Sequence, residues 1–131
     1  MTYPTSTNAI EIQIIDAIIT SALTDGLVIS VYDGEVWTVS CSADREAITA
    51  AIGTSDETRL ALRRPVDGKF ERIGGVFLVH GNDGHDVIAD HTDTPAMAAI
   101  LAEATALADK LEAHANRITL TPGWGFGGQT V

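Results

Sequence analysis

A single cysteine, Cys41, excludes an internal disulfide framework and a cysteine-based zinc cluster. Aromatic residues make up only 5% of the chain. Basic residues are also scarce: eight Lys and Arg stand against 18 Asp and Glu, giving a formal charge of −10 and a pI near 4.5. That balance argues against direct binding of nucleic acid, whose readers carry a basic footprint. No apolar run approaches the roughly 20 residues of a membrane span. The first apolar segment carries Glu11 and Asp16 and follows no basic stretch, so no signal peptide is expected. No Gly-x-Ser-x-Gly elbow and no Gly-Lys-Ser/Thr phosphate loop occurs. What is present is 131 residues, 45% of them hydrophobic, enough for one domain with a self-sufficient core. The expectation is a small acidic cytoplasmic protein, one domain over residues 1–131, with a folded core at 8–116 and a tail at 117–131.

Local patterns supply the elements. Asn8 reads as a helix N-cap, with Glu11 placed to close a capping box. Ile10, Ile14, Ile15, Ile18, Ile19, Ala22 and Leu23 then form one apolar stripe on a helix over 9–24, which Gly26 ends. Residues 27–41 read as a hairpin. With Asp33-Gly34 as a two-residue turn, Tyr32 would pair with Glu35, Ser30 with Trp37 and Val28 with Val39. Leu27, Ile29, Val31, Val36 and Thr38 would face the core, leaving Tyr32 and Trp37 on the other face. Ser42 is expected to cap a short helix over 43–52. Leu60 and Leu62 mark a strand, 65–69 a turn, and 70–80 a long strand in which Gly74-Gly75 signals a bulge or a close backbone approach. A turn at 82–85 and a strand at 86–90 follow. Thr94-Pro95 opens a helix to about 115, with His114 on its last turn complementing the dipole. The fold class is α+β: an antiparallel sheet of about five strands, a hairpin plus a three-stranded meander, with two long helices and one short helix mainly on one face.

The segment from His80 to Asp93 carries His80, His85 and His91 with Asp83, Asp86, Asp90 and Asp93, a composition that suits a metal site. The hairpin register argues otherwise. With Asp83-Gly84 at the tip, Val76 pairs with His91, and His80 lies about four residues from it, over ~13 Å along the ladder. No metal and no cofactor is therefore expected. Cys41, at the end of an apolar strand, reads as an inert thiol. Gly123, Gly125 and Gly128 nominally fit Gly-x-Gly-x-x-Gly, but no helix follows to hold a phosphate.

Charge is the strongest anomaly. Arg59, Arg63, Arg64, Lys69 and Arg72, five of the eight basic residues, fall within fourteen positions that hold only Asp67 and Glu71 as acids. The arginines could simply blunt an edge strand. Alternatively the protein is bipolar, with one basic hairpin and an acidic exterior that attracts basic proteins.

Residues 74–97, with Gly74-Gly75, the Asn82-Asp83-Gly84 turn, Val87-Ile88-Ala89-Asp90 and the Thr94-Pro95 helix start, resemble short acidic proteins encoded in bacteriophage and prophage regions. The resemblance implies an accessory protein that binds host machinery, for example by inhibiting a nucleic-acid-handling or defence complex. It carries no catalytic residue.

The first expectation is thus a non-enzymatic module that presents Asp83, Asp86, Asp90, Asp93, Glu103, Asp109 and Glu112 to a basic protein partner, with Trp37 and Trp124 as apolar anchors. The alternatives are a small-ligand or metal-dependent enzyme built on the three histidines, and a homodimer of structural role pairing through an edge strand or the Trp37 face.

Overall fold

Four isoleucines set the layering. The computed structural model describes the backbone of residues 8–120 and the side chains of residues 8–114. In it Ile14, Ile15, Ile18 and Ile19 are wholly buried on α1 (Ala9–Thr24). β-Branched side chains do not favour a helix by themselves, so α1 owes its stability to what it packs on. Asn8 caps it, its Oδ1 accepting from the Glu11 amide at 2.9 Å. Gly26, at φ 82°, takes the left-handed conformation just past its end.

The strands are β1 (Val28–Tyr32), β2 (Trp37–Ser42), β3 (Glu57–Val66), β4 (Lys69–Val79) and β5 (Ile88–His91). They form one antiparallel sheet in the order β2-β1-β3-β4-β5. Helix α2 (Arg45–Ala51) carries the chain from edge strand β2 past β1 to β3, and α3 (Pro95–Leu120) follows β5. Ile29, Val31, Leu60, Leu62, Val76 and Leu78 share one sheet face, and the period-2 alternation sends their neighbours to the other. All six join a single core cluster with the α1 isoleucines, Ile48 of α2 and Ile52 just past its end, and Met97, Ile100, Leu101 and Ala104 of α3. The α+β architecture is the one the sequence indicates, with the buried sides of the helices gathered on one face.

Four local readings are corrected. The first hairpin does not close on Asp33-Gly34. Its pairs are Tyr32 with Trp37, Val31 with Val39 and Ile29 with Ser42, with register shifts between them. Asp33 Oδ1 accepts from the Glu35 and Val36 amides, both at 2.9 Å, and this Asx turn opens the loop to four residues. Val36 is consequently 56% exposed rather than buried, and Thr38 is exposed as well.

The tight two-residue turn lies instead at Asp67-Gly68, where both residues have positive φ (51° and 79°), as a type I′ turn requires. Pro65 is accordingly a strand residue. It is tolerated because β1 ends opposite Arg63 and asks Pro65 for no N–H. Helix α2 is capped by Asp44 and not by Ser42, which ends β2. Helix α3 runs on to Leu120, past its expected end at about 115, so His114 is not in its last turn.

Gly74-Gly75 does both things expected of it. The β3–β4 register slips there, Leu62 facing Gly74 while Arg63 faces Arg72. A Cβ on Gly74 would stand 2.5 Å from Met97 Cγ, so α3 packs directly on bare backbone. Gly74→Ala is expected to cost about 1–3 kcal/mol through overpacking, read as a lower urea midpoint at unchanged slope.

Candidate functional site

The three histidines separate. His80 is 5% exposed, His85 lies in the loop after β4, and His91 is exposed on β5. Val76 does pair with His91, as the register argument requires. Among the described residues no group of three His, Cys, Asp or Glu side chains could hold a metal ion.

His80 has partners that the sequence does not announce. Its Nδ1 lies 3.2 Å from Glu11 Oε1 and its Nε2 2.8 Å from Thr58 Oγ1. Glu11 Oε2 accepts from the Gly81 amide at 2.8 Å, and Thr58 Oγ1 from the Gly53 amide at 3.1 Å. With Nδ1–H donating to Glu11 and the Thr58 hydroxyl donating to Nε2, every polar atom of this set has a use. The order hydroxyl, imidazole, carboxylate resembles a nucleophile relay in connectivity only. Glu11 is fully buried and Thr58 is 1% exposed, so no substrate reaches the hydroxyl. The set pins the start of α1 to the ends of β3 and β4. Glu11 reads in the sequence as a capping residue, and its distant partners have no local signature.

The chemistry that is accessible lies on the sheet face away from the core. Strand pairing puts Trp37, Tyr32, Arg59, Phe77 and Asp90 in one row across all five strands. Tyr32 and Trp37 rings lie 5.1 Å apart, tilted by 53°. The Arg59 guanidinium sits 4.5 Å over the Phe77 ring, a cation–π contact. Two residues along the strands, Ala61 pairs with Gly75, and beyond them Arg63 pairs with Arg72. The result is a groove of about 390 Å³ bordered by Trp37, Arg59, Phe77, Asp90 and Arg72, with Ala61 and Gly75 low in it. Cys41, expected as a buried thiol, is half-buried on this face, its Sγ 3.9 Å from Arg63 Nη1.

The arginines divide sharply. Arg45 pairs with Asp16 at 3.4 Å and Arg64 with Asp25 at 2.8 Å. Arg59, Arg63 and Arg72 form no ion pair among the described residues. A larger hollow, about 710 Å³, lies between α1 and α3, but its arginine, Arg64, is the one already matched by Asp25.

The expected acidic contacts Asp83, Asp86, Asp90, Asp93, Glu103, Asp109 and Glu112 are all exposed. They spread over the 83–93 segment and α3, and Asp90 alone of them borders the groove. Trp37 is 51% exposed, as an anchor must be. Trp124 lies outside the described residues. No family model, no curated protein and no solved structure matches the chain.

Two outcomes follow. His80→Leu leaves Glu11 and Thr58 buried without their partner, and should lower stability by about 3 kcal/mol, measured by chemical unfolding. The Val36 and Glu35 amides hold the exposed Asp33 carboxyl below its usual range. The clasp that sets Trp37 opposite Tyr32 is therefore in force above the ordinary Asp range and is lost as pH falls through the lowered value. NMR of the Glu35 and Val36 amides should show them released in that acid window, and not in an Asp33→Asn variant titrated alongside.

Proposed function

We propose that the protein is a non-enzymatic protein-binding module whose docking face is the side of its sheet away from the core. One observation carries the reading: in a chain of charge −10, three arginines on this face form no ion pair among the described residues and share it with three aromatic rings. Unpaired guanidinium groups beside large flat side chains are the composition of interface hot spots. The hydrophobic core cluster lies on the opposite face, so core packing does not account for the rings and guanidinium groups here.

A second reading keeps the acidic arc as the contact surface for a basic partner. It is favoured by the exposure of all seven carboxylates named above. Inhibition of a nucleic-acid-handling or defence complex, the role implied by the resemblance to phage-encoded proteins, belongs with this second reading, because the acids would mimic a polyanion.

No helix among the described residues is long and apolar enough to cross a membrane. A photo-crosslinking amino acid at position 37, on the sheet face, and another at 109, on α3, separate the two readings. Discrete adducts in cells from position 37, abolished by Arg59→Glu in the same chain, are expected. Adducts from position 109 alone would transfer the docking surface to the acidic arc.

A further inference from the structure

The groove runs across the strands, and its two sides differ in chemistry. On one side stand Trp37, Tyr32 and Phe77, the last under Arg59. On the other stands Arg72, and its strand partner Arg63 lies just beyond the groove's lining. Arg59 and Arg63 are four residues apart on β3, so the two sides are separated by ~13 Å. Between them Gly75 offers no side chain. A Cβ placed there would meet Arg72 Nη2 at 2.9 Å, so the Arg72 guanidinium reaches back over the glycine. Arg63 Nη1 donates to Ser30 Oγ at 3.2 Å, which fixes its head group. The site therefore offers rings with the Arg59 guanidinium along one side and further cations along the other, the Arg72 head group lying over the Gly75 backbone between them.

An extended polypeptide fits that arrangement. Its side chains alternate in direction, so carboxylates can turn to one side of the groove while rings or large apolar groups turn to the other. We propose that the groove binds an extended acidic segment of a partner protein, its carboxylates on Arg63 and Arg72 and its alternating aromatic or large apolar side chains against the Trp37–Phe77 row. The proposal rests on the sheet face being the docking face, and adds what occupies it.

A single-stranded nucleic acid could also stack on the rings and neutralise the arginines. It carries a charge at every nucleotide, however, and Asp90 closes the aromatic row while Glu57 lies one step further along that face. A peptide can be neutral at that end. Carboxylate–guanidinium contacts can be bidentate, and among the described residues neither Arg63 nor Arg72 is ion-paired.

The full-length chain is titrated with a random copolymer of glutamate and tyrosine, with polyglutamate, and with a twelve-residue oligouridylate, at low and at physiological salt. The copolymer is expected to bind at least tenfold more tightly than polyglutamate, and to weaken as salt rises. Arg72→Glu, at an exposed side chain with no ion pair among the described residues, should reduce copolymer binding tenfold or more with the melting temperature unchanged. Gly75→Ala, which pushes Arg72 aside, should reduce it in the same direction. Tighter binding of oligouridylate than of the copolymer would overturn the proposal in favour of nucleic acid. So would copolymer binding that Arg72→Glu leaves unaltered, or self-association that excludes the copolymer. Absence of copolymer binding while position 37 still forms adducts would discard the acidic occupant and keep the docking face. Absence of both would remove the two together.

Discussion

Burial in this molecule is one-sided, and the rest of its organisation follows from that. The α1 stripe is rich in isoleucine and cannot persist without an apolar surface to cover it. That surface is supplied by the inward residues of β1, β3 and β4, and by Met97, Ile100, Leu101 and Ala104 of α3. Because α1, α2 and α3 contribute their apolar sides to the same core, the outward sheet face keeps its own row of rings and guanidinium groups. The Glu11–His80–Thr58 set locks the arrangement at one end by tying the first turn of α1 to the ends of β3 and β4. Its complete burial marks it as a structural clamp, although its residue types would suit catalysis.

Electrostatics sharpens the distinction between the faces. A protein with more than twice as many acids as bases has carboxylates available to neutralise any arginine that folding leaves near them. Arg45 and Arg64 have found theirs. Arg59, Arg63 and Arg72 have not, among the described residues. At physiological ionic strength charges interact over roughly 8 Å, so a partner on this face meets the local arginines more strongly than the remote acidic exterior. Net charge governs approach and solubility, whereas the contact itself answers to the few groups within reach.

The sequence reveals most where the signal is periodic or chemically specific. Helix α1 shows its cap, its stripe and its terminal glycine, and the structure gives it the expected 9–24 bounds. The glycine pair shows both its bulge and its close approach to α3. The first hairpin is misread because Asp33-Gly34 carries a strong turn signal while the Asp33 carboxylate makes a different turn. Two residues of added loop then move Trp37 opposite Tyr32. The row across the sheet is hidden for a related reason. Trp37, Tyr32, Arg59, Phe77 and Asp90 come from five strands, and only the correct register aligns them. The basic cluster at 59–72 is plain in the sequence. Alternation along β3 puts Arg59 and Arg63 on one face and turns Arg64 to Asp25, and the β4 bulge at Ile73 brings Arg72 to the face of Arg59 and Arg63.

The most direct test of the sheet face away from the core as the working surface is two-dimensional NMR of the isotope-labelled chain inside cells, compared with the same chain in buffer. Engagement of that face predicts selective broadening of the Tyr32, Trp37, Arg59, Ala61, Gly75 and Phe77 amides, with the outer positions of α3 left sharp. Broadening centred on α3 and the 83–93 segment, with those six amides undisturbed, would contradict the account.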